Sequence, residues 1–263
     1  MKKIAHECPL SILSEIRNVT NYDYCLVHLL DQYLEYLNHF KESLDLEREV
    51  ILDNSIFELG VAFDAEKFAY WINELRPTYY IIPDALEDTQ KTLSQFYSWM
   101  SKYRDLPGKK IGVVQGKTYE EIVHCYQHLD KFCNKIAISF DYSLYKMLFP
   151  HENEIVSWSM GRVLLINRLL EDGIINLNKP HHLLGCATAF EFKFYQDSRY
   201  DFIDSIDTSN PVLHGLLKIN YPPDGLWTKE RIKLVDLIES KVDFTQQCYI
   251  DTNILEFKKL VNP

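Results

Sequence analysis

Seven short runs rich in β-branched and other apolar residues recur along the chain, with stretches of helical periodicity between most of them. The runs are Tyr24–Leu29, Glu49–Asn54, Tyr79–Asp84, Lys110–Gln115, Lys135–Phe140, His182–Cys186 and Asp201–Asp207, with a weaker eighth at Lys3–His6. This alternation is the pattern of a parallel sheet covered by helices. Several runs are apolar almost throughout, as strands are when both faces are buried. Helices are expected near Asp64–Leu75, Asp88–Arg104, Thr118–Phe132, Glu154–Glu171, Ala189–Ser198, Thr228–Lys241 and Asn253–Leu260.

Polar residues stand at the C-terminal ends of these runs: Asp53, Asp84, Gln115, Asp141, and Asp204 or Asp207. In a β/α barrel those ends meet at one mouth, where the chemistry is done. An open doubly wound sheet also builds its site at strand ends, so alternation alone does not choose between them. The chain has no GxGxxG and no GxxxxGK[ST], which disfavours dinucleotide and P-loop folds. At 263 residues, with no linker or repeat, it is read as one domain over 1–263, a single (β/α)8 TIM-type barrel.

Four segments are candidates for chemistry. Asp53-Asn54-Ser55 follows an apolar strand, and its plainer reading is a turn or helix cap. Asp84 ends the next strand, while Asp88 is placed to cap the helix behind it. An unassigned carboxylate at a strand end can accept paired N–H donors from a base edge. Gln115 offers a donor and an acceptor, and Gly116 would allow a ligand close to the backbone; a solvated turn is the alternative. The fourth segment carries Asp204 and Asp207. Three apart on an extended strand, they point to opposite faces, so only one can face inward. Paired with Asp53, that one would give a nucleophile and a proton carrier.

Other classes are disfavoured. The six cysteines form no CxxC pair and read as reduced, mostly buried thiols. The histidines show no HExxH spacing; His181 and His182 are adjacent and face opposite ways, and His124 and His128 are four apart on a helix, so no metal site is expected. Neither a signal peptide nor a run of ~20 apolar residues is present, which predicts a soluble, cytoplasmic protein with no membrane partner. The net charge of −10 works against a polyanionic partner. Basic residues do gather at Lys109-Lys110-Lys117, Lys229-Arg231-Lys233 and Lys258-Lys259, although a solvated face is the plainer reading of each.

In order, the four segments resemble the tRNA-guanine transglycosylase superfamily, and most of all its short phage and bacterial members, the DNA 7-deazaguanine transglycosylases. Leu52-Asp53-Asn54-Ser55-Ile56-Phe57-Glu58 is similar to the family's segment of Asp, small residues and Phe-Gln. Ile82-Pro83-Asp84 stands where the family keeps a base-reading aspartate, and Gly112-Val113-Val114-Gln115-Gly116 is close to its Gly-Ile-Val-Gln-Gly. His182-Leu183-Leu184-Gly185 and Phe202-Ile203-Asp204-Ser205 resemble its Leu-Met-Gly segment and nucleophile strand. Two features depart from the family. The tRNA enzymes' CxCxxC…H zinc site is missing, only Cys248 following Asp204, and the Gly-Gly segment reads Ala137-Ile138-Ser139-Phe140-Asp141.

The resemblance implies a barrel without the zinc subdomain that exchanges guanine in DNA for a free 7-deazaguanine base, such as 7-cyano-7-deazaguanine. Asp204 would be the preferred nucleophile, with Asp207 the competitor, and Asp53 would handle the proton. Asp84 and Gln115 would read the base, helped by Asn54, Ser55, Gly116 and Ser139, with Phe57, Tyr79 and Tyr142 as stacking partners. No metal or cofactor is called for. The alternatives are the same exchange on tRNA, a non-catalytic nucleic-acid-binding barrel subunit, or an unrelated barrel hydrolase or aldolase. The resemblance leaves room for a protein partner or a homo-oligomer, in the cytoplasm of a bacterial or phage-infected cell.

Overall fold

The computed structural model describes residues 1–140, 142–222, 225–227 and 232–263. Asp141 at the end of the fifth expected strand, and Lys229 and Arg231 of one basic cluster, lie outside the described residues. Eight parallel strands form one sheet: β1 (Lys3–His6), β2 (Asp23–Leu26), β3 (Val50–Asp53), β4 (Tyr79–Ile81), β5 (Lys109–Val114), β6 (Lys135–Ile138), β7 (His181–Leu183) and β8 (Ile203–Thr208). Their order is β1-β8-β7-β6-β5-β4-β3-β2: sequential neighbours pair from β2 to β8, and β1 joins β8. This is an α/β fold of the (β/α)8 TIM-barrel type. All eight expected strands are present, including the weak first one.

Packing divides the chain into two compact units. One comprises Met1–Asn21, Phe140–Asn178 and His182–Pro263; the other comprises Tyr22–Ser139 with Lys179–His181. They interleave in sequence, so no single cut yields two consecutive domains.

The second unit carries β2 to β6. Val50, Ile51 and Leu52 of β3 are wholly buried, which explains why that run lacks the polar alternation of a one-sided strand. Its helices begin where the sequence places caps. Asp88 accepts the backbone N–H of Lys91 at the head of helix Thr89–Lys102, and Thr118 with Glu121 forms a capping box for helix Tyr119–Leu129.

The first unit carries β1 and β8 with helix Glu154–Glu171 and the final helix Phe244–Val261. A Cβ on Gly215 would stand 2.4 Å from the Ile250 side chain, so the approach of helix Asn210–Leu216 to the final helix requires glycine there. Three helix expectations change. Ala189–Ser198 is 3₁₀ over Ala189–Phe194 only, and the described part of Thr228–Lys241 holds just a 3₁₀ turn at Leu234–Leu237. The last helix starts nine residues before Asn253, at Phe244, because Asp243 and Gln246 build a capping box. No helix of the described residues is long and apolar enough to cross a membrane.

Candidate active-site carboxylates

In the second unit, β3 ends on Asp53. One carboxylate oxygen accepts the Tyr24 hydroxyl at 2.6 Å, and the other accepts the backbone N–H of Ser55 at 2.7 Å. Ser55 adopts φ +59°, a left-handed conformation that few non-glycine residues take, and it redirects the chain just after the N–H that meets Asp53. The Ser55 hydroxyl accepts the backbone N–H of His28 at 3.4 Å. Burial, and then the neighbouring Glu58 carboxylate, push the Asp53 pKa well above the usual carboxylate range; the two hydrogen bonds oppose this without cancelling it. Of the plainer readings of this segment the turn is the one present, with Asp53 and Asn54 each accepting the N–H two residues on and no side-chain cap on the short helix that follows.

Asp84 lies just beyond β4 and is 2% exposed. The Asn54 side-chain amide donates to one oxygen at 2.8 Å, and the Gln115 amide donates to the other at 2.7 Å. Asn54 also donates to the Ile82 carbonyl, while its own oxygen accepts the Ile56 N–H. The Gln115 oxygen accepts the Glu87 N–H at 2.8 Å. Three strand ends are thereby tied by one carboxylate between two amides. Burial raises the Asp84 pKa to about 6, with both amides pulling the other way. The expected base readers thus meet one another. Each Asp84 oxygen has two lone pairs and can accept a further donor, but a base reaching Gln115 must compete with the Glu87 backbone.

In the first unit, Asp207 is the fifth residue of β8, beside its C-terminal end, and 4% exposed. One of its oxygens, Oδ1, accepts from His182 Nε2 at 2.9 Å. The Gly185 N–H reaches both oxygens, at 3.1 and 3.2 Å. A carboxylate only accepts, which places the imidazole proton on Nε2; in the neutral ring Nδ1 then accepts from Ser205 Oγ at 3.0 Å. Ser205 and His182 are wholly buried. A Ser-His-Asp series is present, but its serine lies sealed beneath the aspartate.

Asp204 is placed differently. It is the second residue of β8, near the N-terminal end, and by alternation on the face opposite Ser205 and Asp207. Its side chain is 27% exposed and pairs with Lys3 at 3.7 Å. Of the two candidates for nucleophile, Asp207 and not Asp204 therefore stands at the strand end where barrel chemistry is done.

Other expected residues fall in mixed positions. Ser139 follows β6 and is half-buried, and Phe57 is 49% exposed on the turn beyond β3. At Gly116 a Cβ would meet Glu121 Cβ at 2.8 Å and Thr89 Oγ1 at 3.0 Å, so packing against the helices alone already requires glycine there. Tyr79 opens β4 at its N-terminal end, its ring under Lys135 Nζ at 4.5 Å, and Tyr142 is buried against Tyr145. Tyr79 therefore lies at the end of β4 away from Asp84. Lys109 and Lys110 likewise open β5, at the end away from Gln115.

The sequence reading missed His182, Gly185 and Tyr24. The alternation of Ser205 with Asp207, facing a histidine one strand away, was the available signal for the first. Among the described residues neither ring nitrogen of buried His28 finds a partner, and burial lowers its pKa. Among the described residues no group of three His, Cys, Asp or Glu side chains could hold a metal ion. No protein-family model matches this chain, and no curated protein matches it in sequence.

Proposed function

We propose that the protein is a nucleic-acid guanine transglycosylase of the tRNA-guanine transglycosylase type, acting on DNA. One observation carries the reading: two carboxylates at strand C-terminal ends sit in contrasting environments, Asp53 shifted toward its protonated form and Asp207 braced by N–H donors. Divergent environments are how one fold separates a proton carrier from a nucleophile.

On this reading Asp207 Oδ2, the oxygen that His182 leaves clear, attacks C1′ of the target nucleotide. The C1′–N9 bond breaks, and guanine departs with a proton, the part that the family resemblance gives to Asp53. The incoming 7-deazaguanine base returns a proton from its N9–H to Asp53, its N9 bonds to C1′, and the aspartyl ester is released. The net change is one base for another, with the proton passed through Asp53. Asp84, steadied by Asn54 and Gln115, accepts the N–H donors of the guanine edge. The order of the four sequence segments supports the assignment.

The test incubates DNA and tRNA carrying labelled guanine with the protein and 7-cyano-7-deazaguanine, beside D207N and D204N. Label released from DNA, retained by D204N and lost in D207N, is the expected result. Release from tRNA alone keeps the chemistry and changes the polymer. No release from either overturns the proposal.

A further inference from the structure

The peptide group joining Leu184 to Gly185 is held at both ends. Its carbonyl oxygen accepts from Arg162 Nη1 at 2.8 Å, and its N–H donates to both oxygens of Asp207. The peptide is planar, so fixing the carbonyl fixes the direction of the N–H on the opposite side. Gly185 takes φ +60°, which leads the chain away from that plane at little steric cost.

Arg162 is itself clamped. Its Nε and Nη2 donate to the two oxygens of Glu191 at 3.0 and 2.8 Å, with both side chains wholly buried. The guanidinium lies over the Phe140 ring, 5.0 Å from its centroid. Apolar residues of similar volume would fill this space as well or better, because a buried ion pair must overcome the desolvation of both charges. Stability is therefore a weak reason for the pair. The bonds it makes beyond itself are more telling: they lead through one peptide to Asp207.

We infer that Glu191 and Arg162 form a positioning pair for Asp207, acting through the Leu184–Gly185 peptide. Glu191 orients the guanidinium, the guanidinium orients and polarises the peptide, and the peptide N–H sets the carboxylate. Hydrogen bonds in a chain strengthen one another, so the pull on the carbonyl sharpens the N–H as a donor. Neither residue touches a reacting atom. The catalytic consequence rests on Asp207 being the nucleophile proposed above; the hydrogen-bonded connection does not.

Two readouts separate these parts. In ¹⁵N-labelled full-length protein, the Gly185 amide proton reports its bond to Asp207, and D207N shows the signal when that bond loses its charge. The double variant R162M/E191L removes both charges without leaving one unpaired, and R162K keeps the charge but loses the two-pronged geometry. Both variants should move the Gly185 amide upfield, in the direction set by D207N, with circular dichroism confirming the fold. Should the double variant not fold, R162K and E191Q supply the same readout. Base exchange should lose roughly ten- to a hundred-fold in kcat with little change in KM, as expected when a reacting group is slightly misplaced. An unmoved Gly185 amide in folded variants overturns the inference. Moved amides in a protein whose wild type exchanges no base would uphold the connection and defeat the proposed function instead.

Discussion

Asp84 and Asp207 are both buried carboxylates near strand C-termini, yet they are held in opposite ways. Asp84 sits between two neutral side-chain amides, and burial outweighs them, so its pKa rises to about 6. Asp207 is gripped by an imidazole and a backbone N–H that is itself backed by a buried guanidinium. Both amides are tied to backbone as well, Asn54 to Ile82 and Ile56 and Gln115 to Glu87, but neither brings a charge to Asp84. A peptide N–H fixed from behind cannot easily turn away, which suits a group that must hold its aim.

The largest test of this contrast is D207N, which should lower base exchange on the order of a thousand-fold or more, as loss of a covalent nucleophile does. D204N should change the rate less than about two-fold. Equal losses in the two variants would erase the distinction drawn between the faces of β8.

Asp84 should show itself next, in stability against pH. Its folded pKa lies above the ordinary value, so the folded protein binds the proton more tightly than the unfolded chain. Its contribution is then greatest below pH ~4 and is lost as pH rises through about 6, by on the order of 3 kcal/mol. Denaturant titrations of wild type and D84N across that window should converge at low pH and diverge toward neutrality, the wild type losing ground. Parallel curves would mean that the amides balance burial after all.

G116A should destabilise by about 1–3 kcal/mol through overpacking against Glu121 and Thr89, measured by thermal melting, while the surviving folded protein keeps its affinity for free base. Lost affinity at unchanged stability would give Gly116 to the ligand instead. Smallest is Y24F, which removes one hydrogen bond from Asp53 and should raise its pKa further, displacing the basic limb of the rate–pH profile upward with about 1 kcal/mol lost in stability.

Much of the architecture was legible because the strands are fully buried runs and the caps are local signals. Asp53, Asp84 and Gln115 were visible as polar residues ending apolar strands, and the structure brings Asp84 together with Asn54 and Gln115. What escaped was set by tertiary contact. The preference for Asp204 comes from the register of the resemblance and not from the strand, whose expected run Asp201–Asp207 already ends on Asp207; β8 spans Ile203–Thr208. Gly116 reads the same in a sequence whether it faces a ligand or a helix. His182 belongs to the site through neighbours more than twenty residues away, and no local pattern announces that.

Ser55 has a consequence for anyone who would engineer the protein. Glycine at that position would relieve a left-handed backbone penalty of roughly 1–2 kcal/mol. The same change would delete the hydroxyl that meets His28 and loosen the turn that delivers an N–H to Asp53. A screen that rewards heat resistance alone would therefore favour S55G, and on the proposed function would discard it only when base exchange is also scored. Ser55 is where selection for sturdiness and selection for chemistry part company.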